Sequence, residues 1–225
     1  MEAPWTFIGV FTGHGPALMA VHLLLVAIII LLIAKAAVSA MKAVPTGAQN
    51  ALEAFIQGTI AMGNDTIGED RARKYLPLIL TLGLVVLVSN LIGIIPGFES
   101  PTSNINITLP LALVVFIYYN YEGIREKGAK NYFAHFMGPV PLLAPLMFPI
   151  EILSHLSRIV SLSFRLFGNI KGDDLFLAVL LMLVPFFAPL PAYALLTFFA
   201  VLQTFIFMIL TYVYLAGAVL VDEDH

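Results

Sequence analysis

Apolar residues run along this chain in blocks of membrane-spanning length, and polar residues interrupt them at few, regular places. A helix needs about 20 apolar residues to cross a hydrocarbon core about 30 Å thick, because it rises about 1.5 Å per residue. Gly15 to Ala34 meets that length with one ionisable residue, His22. Tyr75 to Phe98 and Ser100 to Tyr121 contain no Asp, Glu, Lys, Arg or His, although Pro101 to Asn106 reads as loop. Leu175 to Val221 carries none across 47 residues, which is too long for one span. Pro185, Pro189 and Pro191 predict a turn within it. A less obvious element precedes it: a loop with Pro139, Pro141, Pro145 and Pro149, then an apolar segment with regularly placed polar residues. The pattern predicts an all-α integral membrane protein with about five membrane helices. As one domain over 1–225 it divides into an N-terminus (1–14), a first span (15–43), a second (72–98), a third (106–124), a polar-striped long helix (146–184) and a final long helix (190–221).

Residues 47–63 follow a different pattern. Ala48, Leu52, Phe55 and Ile56 share one helical face, with Gln49, Glu53 and Gln57 elsewhere. This fits a short helix lying at the membrane surface, and equally an amphipathic helix packed on its own protein. Lys35, Lys42, Arg71, Arg73 and Lys74 flank the same connection, and Arg125, Lys127 and Lys130 follow the third span. The loop around Pro96 to Asn106 has no basic residue. Positive loops stay in the cytoplasm, so the N-terminus is expected outside. Five crossings then put the acidic tail, Val221 to His225, in the cytoplasm.

The chemistry concentrates in Glu151 to Asp174, EILSHLSRIVSLSFRLFGNIKGDD. At about 100° per residue, Glu151, Ser154, His155, Arg158, Ser161, Arg165 and Asn169 fall within an arc of roughly 120°. A polar stripe on a membrane helix faces protein or water rather than lipid. Arg165 lies 14 residues after Glu151 and 9 before Asp174, which neighbours Asp173. One carboxylate thus stands toward each end, with a permanent cation between them, since an Arg pKa exceeds about 12. Such a cation is a poor proton carrier and a good barrier or carboxylate partner. Arg158 is expected to hold Glu151 ionised. Gln203 is the lone amide inside the uncharged 47-residue run, able to donate and accept without net charge.

Composition narrows the classes. Of 225 residues, 60% are hydrophobic and 11% charged, against about 25% charged in soluble domains. Mean hydropathy is +0.96. A soluble globule could not hide so much apolar surface, so soluble enzymes are excluded. A formal net charge of −3 gives no basic excess for nucleic acid. The absence of cysteine excludes thiol catalysis and Cys metal sites. No phosphate-binding glycine loop and no hydrolase or metalloprotease motif is present. ATP chemistry is therefore not expected in this chain, nor is a cofactor. Ordered intramembrane charges fit an ion path, either in a larger machine or in a free-standing secondary transporter or channel. The latter commonly carries inverted repeats, and none is visible.

SLSFRLFGN (Ser161 to Asn169) and LQTFIFMILTYVYL (Leu202 to Leu215) closely resemble signature segments of subunit a of F-type ATP synthases, of bacterial type. SNLIGIIPGFESPTSNINIT (Ser89 to Thr108) also looks like a segment of that family. The resemblance implies a stator subunit in a bacterial inner membrane, with its last two long helices inclined against the ring of c subunits. It implies further partners in the peripheral-stalk b subunits, the rest of the F1Fo complex and membrane lipid. It also implies two offset aqueous half-channels reaching a carboxylate on that ring. On this likeness Arg165 matches the essential arginine, Gln203 the supporting glutamine and Asn169 the family asparagine. Glu151, Ser154 and Ser161 match positions of the cytoplasmic access path, beside which His155 and Arg158 add ionisable groups. Asp174 stands where relatives commonly carry Glu on the outer path. Leu196 departs from the pattern, because relatives place an ionisable residue there. Ordered water with Asp173 or Asp174 would have to serve instead.

Overall fold

A computed structural model of the chain describes residues 6, 7, 9, 16–39, 47–128, 132, 144–184 and 189–220. Six helices make up the fold among these residues: α1 (Pro16–Val38), α2 (Ala48–Ile67), α3 (Glu69–Ile94), α4 (Ile105–Lys127), α5 (Ala144–Leu183) and α6 (Pro189–Val219). A 3-10 turn, Pro101–Ser103, lies between α3 and α4. No strand occurs among the described residues. By length and composition α1, α3, α4 and α6 are each able to cross a membrane. The 40-residue α5 carries too regular a polar stripe to register as one apolar span. The chain is an all-α, multi-pass membrane protein.

Helix ends follow local chemistry. α3 stops at Ile94, short of the expected Phe98, because Pro96 lacks an N–H and Gly97 turns at φ +91°. The segment read as loop from Pro101 to Asn106 instead holds the 3-10 turn and the first residues of α4, whose Asn104 side chain caps the Asn106 N–H at 2.9 Å. Pro149 is not in a loop but inside α5. The long uncharged run is divided where the prolines predicted, α5 ending at Leu183 and α6 beginning at Pro189, but Pro189 and Pro191 stand after the break, in the last helix. They occupy its first turn, where a missing N–H costs nothing. The N-terminal segment 1–14, apart from residues 6, 7 and 9, and the end of the first span beyond Ser39 lie outside the described residues, as do the turn at Pro185 and the acidic tail.

The core is where α3, α4, α5 and α6 meet, around Tyr75, Ile79, Val86, Val115, Tyr119, Leu162, Leu166, Phe207, Tyr212 and Leu215. A smaller apolar contact joins α1 to α3 through Val26, Val88 and Ile92. Lipid tails are as apolar as these side chains, so close fit rather than water exclusion holds such helices together. Gly63 illustrates the fit. A Cβ there would lie 2.7 Å from the Ala72 Cβ and 2.8 Å from the Tyr212 Cζ. The α2–α3 turn hinges on Gly68 at φ +84°. This settles how α2 lies relative to the rest: it packs on α3 and α6, with Thr59 fully buried and Phe55 against the core.

Candidate ion-translocation site

The polar stripe of α5 is real, but its burial changes along the helix. At the N-terminal end His155 is buried, with Nε2 3.4 Å from the Glu151 carboxylate and Nδ1 2.9 Å from the Tyr119 hydroxyl of α4. Arg158 does not pair with Glu151. Its guanidinium carbon lies 5.8 Å from the Tyr119 ring centre and 5.5 Å from that of Tyr214 on α6. Aromatic faces hold a desolvated cation well, and the two rings leave the Glu151 carboxylate to His155. Ser154 is half-buried. Below this cluster Tyr132 donates to the Asn120 side-chain oxygen at 2.7 Å. Burial pushes its phenol up to about 12, so it stays a neutral donor.

Further along, the stripe opens. Ser161, Arg165 and Asn169 are exposed, and Arg165 has no acidic partner among the described residues. A cation without a counter-charge on an otherwise apolar helix surface is costly in lipid, by at least about 2.5 kcal/mol. Asn169 donates to the Gln203 Oε1 at 2.5 Å, and Gln203 is buried on α6. The two family-matched amides therefore tie α5 to α6 one turn beyond Arg165. The other end of the Gln203 amide, Nε2, is enclosed without a partner.

Asp173 continues the stripe, and Asp174 lies about 100° further round the helix. Lys171 sits 3.8 Å from Asp174, with both side chains about half exposed. Together the two acids line a cavity of about 20 Å³ with Asn90, Ser100, Leu196 and Ala200, room for roughly one water. Leu196 thus lines the place where an ionisable side chain was expected. Asp173, but not Asp174, also lines a groove of about 350 Å³ with Gly168, Asn169, Gly172, Phe199 and Leu202. It is the residue common to the small cavity and to the groove on the face that carries Asn169.

Two polar groups were invisible in the sequence. Asn90, one residue in a long apolar run, receives the Thr102 hydroxyl at 2.7 Å, and its Nδ2 is enclosed without a partner beside the cavity. Ser100 donates to the Ser89 carbonyl at 2.8 Å and lies 2.7 Å from the Thr102 hydroxyl. At the opposite end of the α3–α4 hairpin, Glu122 is buried, 2.6 Å from Lys74, 3.5 Å from Arg125 and 3.1 Å from the Tyr75 hydroxyl. Lys74 also reaches Glu126 at 2.7 Å. The one cue to the first group was the Ser89–Asn90 pair interrupting an apolar run.

Fold and site define a multi-pass helical membrane protein with a polar path along one long helix and a cation on the open surface of that helix. Residues 18–216 match the family model described as ATP synthase A chain. "ATP synthase subunit a" of Sulfurovum sp. (strain NBC37-1) is 69% identical over 228 residues, 100% of this chain and 94% of that protein. The protein of the same name from Campylobacter fetus subsp. fetus (strain 82-40) is 70% identical over 205 residues, 91% of each chain. That of a Nitratiruptor species is 63% identical over 224 residues, 100% of this chain and 99% of the relative. The chain belongs to the ATP synthase A chain family.

Proposed function

We propose that this chain is the ion-translocating stator subunit of the rotary F-type ATP synthase, that its ion is the proton, and that it performs no ATP chemistry itself. It provides two offset half-channels to a carboxylate on the c ring, and Arg165 separates them. The observation that carries this reading is the exposed Arg165 on the open face of α5, with no acidic partner among the described residues. A guanidinium there needs an acid from another chain, and a ring carboxylate supplies one. Facing that cation, the ring acid gives up its proton; away from it, in apolar surroundings, it takes one up.

The inner path uses Glu151, Ser154 and Ser161, with His155 orienting Glu151. The outer path runs from the cavity beside Asn90 to Asp174 and Asp173, then by the groove to Asn169 and the ring-facing surface. Asp173 is the group at which a proton passes from enclosed water to the open face, and this replaces the side chain that Leu196 lacks. Support comes from its place in both cavities. The end of the hairpin bearing Lys74, Glu122 and Arg125 is cytoplasmic by its basic loops. The N-terminus is then outside, in a bacterial inner membrane. The c ring, b subunits and remainder of the F1Fo complex are the partners.

The test is Arg165→Ala in the assembled complex in inverted membrane vesicles. ATP-driven proton pumping is expected to fall below detection, with the ATPase head still bound and passive leak increased. Undiminished coupled pumping would overturn the reading.

A further inference from the structure

His22 lies on α1, far in sequence from the charged stripe, and takes no part in the path described above. It is fully buried. Its Nδ1 lies 2.9 Å from the Leu18 carbonyl oxygen, and its Nε2 receives the Glu99 backbone N–H at 3.3 Å. A carbonyl only accepts and a backbone N–H only donates. The partners therefore dictate one species, the neutral imidazole with its proton on Nδ1. The edge of the Phe98 ring packs against it, with centroids 6.2 Å apart. Position 99 leads directly into Ser100 and Thr102, whose hydroxyls bond the Ser89 carbonyl and the Asn90 side chain. Asn90 and Ser100 in turn line the cavity shared with Asp173 and Asp174. Hydrogen bonds and two chain links thus connect the buried imidazole to that cavity.

We propose that His22 is a positioning residue for the outer access path: as the neutral acceptor of the Glu99 N–H it holds the 98–102 segment against α3, and so holds Asn90 and Ser100 at the cavity of Asp173. The proposal rests on the assignment of that cavity to the outer path. Glu99 itself is titratable, and its carboxylate accepts the Ser103 hydroxyl at 3.4 Å. α3 carries no ionisable side chain from Leu76 to Ile94, and the 3-10 turn has none. α2, which also packs on α1, brings Glu53, bonded to Gln49 at 2.7 Å, and the exposed Asp65. α1 itself brings only Lys35 besides His22. Among the described residues no other base at the site makes good the loss of the acceptor.

The experiment uses the whole complex in proteoliposomes with the ATPase head outward, so that the lumen is the outer side. The rate of ATP synthesis is measured at one luminal pH, with total driving force held constant by a clamped potassium potential. His22→Gln, which puts a carbonyl oxygen where Nε2 stood, is expected to stay within about twofold of the unaltered rate. His22→Phe, which keeps the ring and loses the acceptor, is expected to be roughly fivefold slower. A rate unchanged in His22→Phe, or a loss in His22→Gln as large as that in His22→Phe, would overturn the proposal.

A second measurement does not depend on transport. The chain has no cysteine, so Ser103→Cys, at a buried position, is a unique reporter. Its labelling by an impermeant thiol reagent from the outer side is expected to rise roughly tenfold in the His22→Phe background and to stay at the unaltered level in the His22→Gln background. Labelling that is indifferent to residue 22 overturns the latch even if transport behaves as proposed. Labelling as expected with Arg165→Ala still pumping leaves the latch standing and overturns the functional reading instead.

Discussion

Between Glu151 and Arg158, α5 presents Glu, Ser, His and Arg side chains; between Arg165 and Asp174 it presents Arg, Asn, Lys and two Asp. The chemical inventories are similar and the surroundings are opposite. In the first stretch His155 is closed in by Tyr119 and Glu151, and Arg158 by two tyrosine rings. In the second, Arg165 is open and meets no acid of the described residues, and Asp173 and Asp174 border a cavity and a groove. A polar residue in a membrane helix is thus not by itself a transport residue. What distinguishes the two stretches is whether neighbouring helices of the same chain satisfy the group. Where they do, the stripe ties α5 to α4 and α6; where they leave it unmet, another chain or water must meet it.

Substitutions in the open stretch should therefore stop transport, and those of Arg158, Tyr119 and Tyr214, which close the first stretch, should mainly loosen the bundle, whereas Glu151 and Ser154 serve the inner path. After Arg165→Ala, the largest effect is expected from Asp173→Asn combined with Asp174→Asn. Loss of both acids should slow ATP-driven pumping by about 100-fold, the lower range for removing a proton-transferring group. Asp174→Asn alone should be milder than Asp173→Asn alone, because only Asp173 borders both spaces. The reverse order would break the assignment. Ala200→Leu fills the small cavity and displaces its water; a loss of about tenfold, equivalent to about 1.4 kcal/mol of barrier, is expected in pumping with assembly unchanged. Gln203→Leu removes the tie to Asn169. Hydrogen bonds between membrane helices average about 0.6 kcal/mol, so a slowing of about threefold is expected. Tyr119→Phe frees His155 on one side within the closed stretch. Pumping within about twofold of the unaltered rate is expected, with a lowered thermal midpoint of the extracted subunit. A loss as large as that of the acid pair would erase the distinction.

The hydrophobic blocks were legible because a membrane demands about 20 apolar residues per crossing whatever the neighbours are. The stripe was legible because its 3.6-residue period survives in any environment. What the period cannot carry is which neighbour covers each part. Glu151, His155 and Arg158 share one face, so a Glu151–Arg158 pair was the natural expectation. The rings of Tyr119 and Tyr214 that take Arg158 instead come from other helices. Asn90 has no period at all, being a single amide whose partner Thr102 follows 12 residues later. Lys74 and Glu122 are 48 positions apart and each looks like an ordinary boundary charge. Leu196 was legible only as an uncharged residue in an apolar run; that a water-sized cavity borders it required three helices in place.

The enclosed carboxylate of Glu122 carries a consequence for biogenesis. It leaves the ribosome 47 residues after Tyr75, and 48 after Lys74, the two side chains that bind it most directly. An ionised acid shut away from water at the membrane's edge costs several kcal/mol if it is alone. Seating α4 beside α3 adds Lys74 and Tyr75 to Arg125 of its own helix as partners of that acid, which favours integration of the two as a hairpin before α5 and α6 are added.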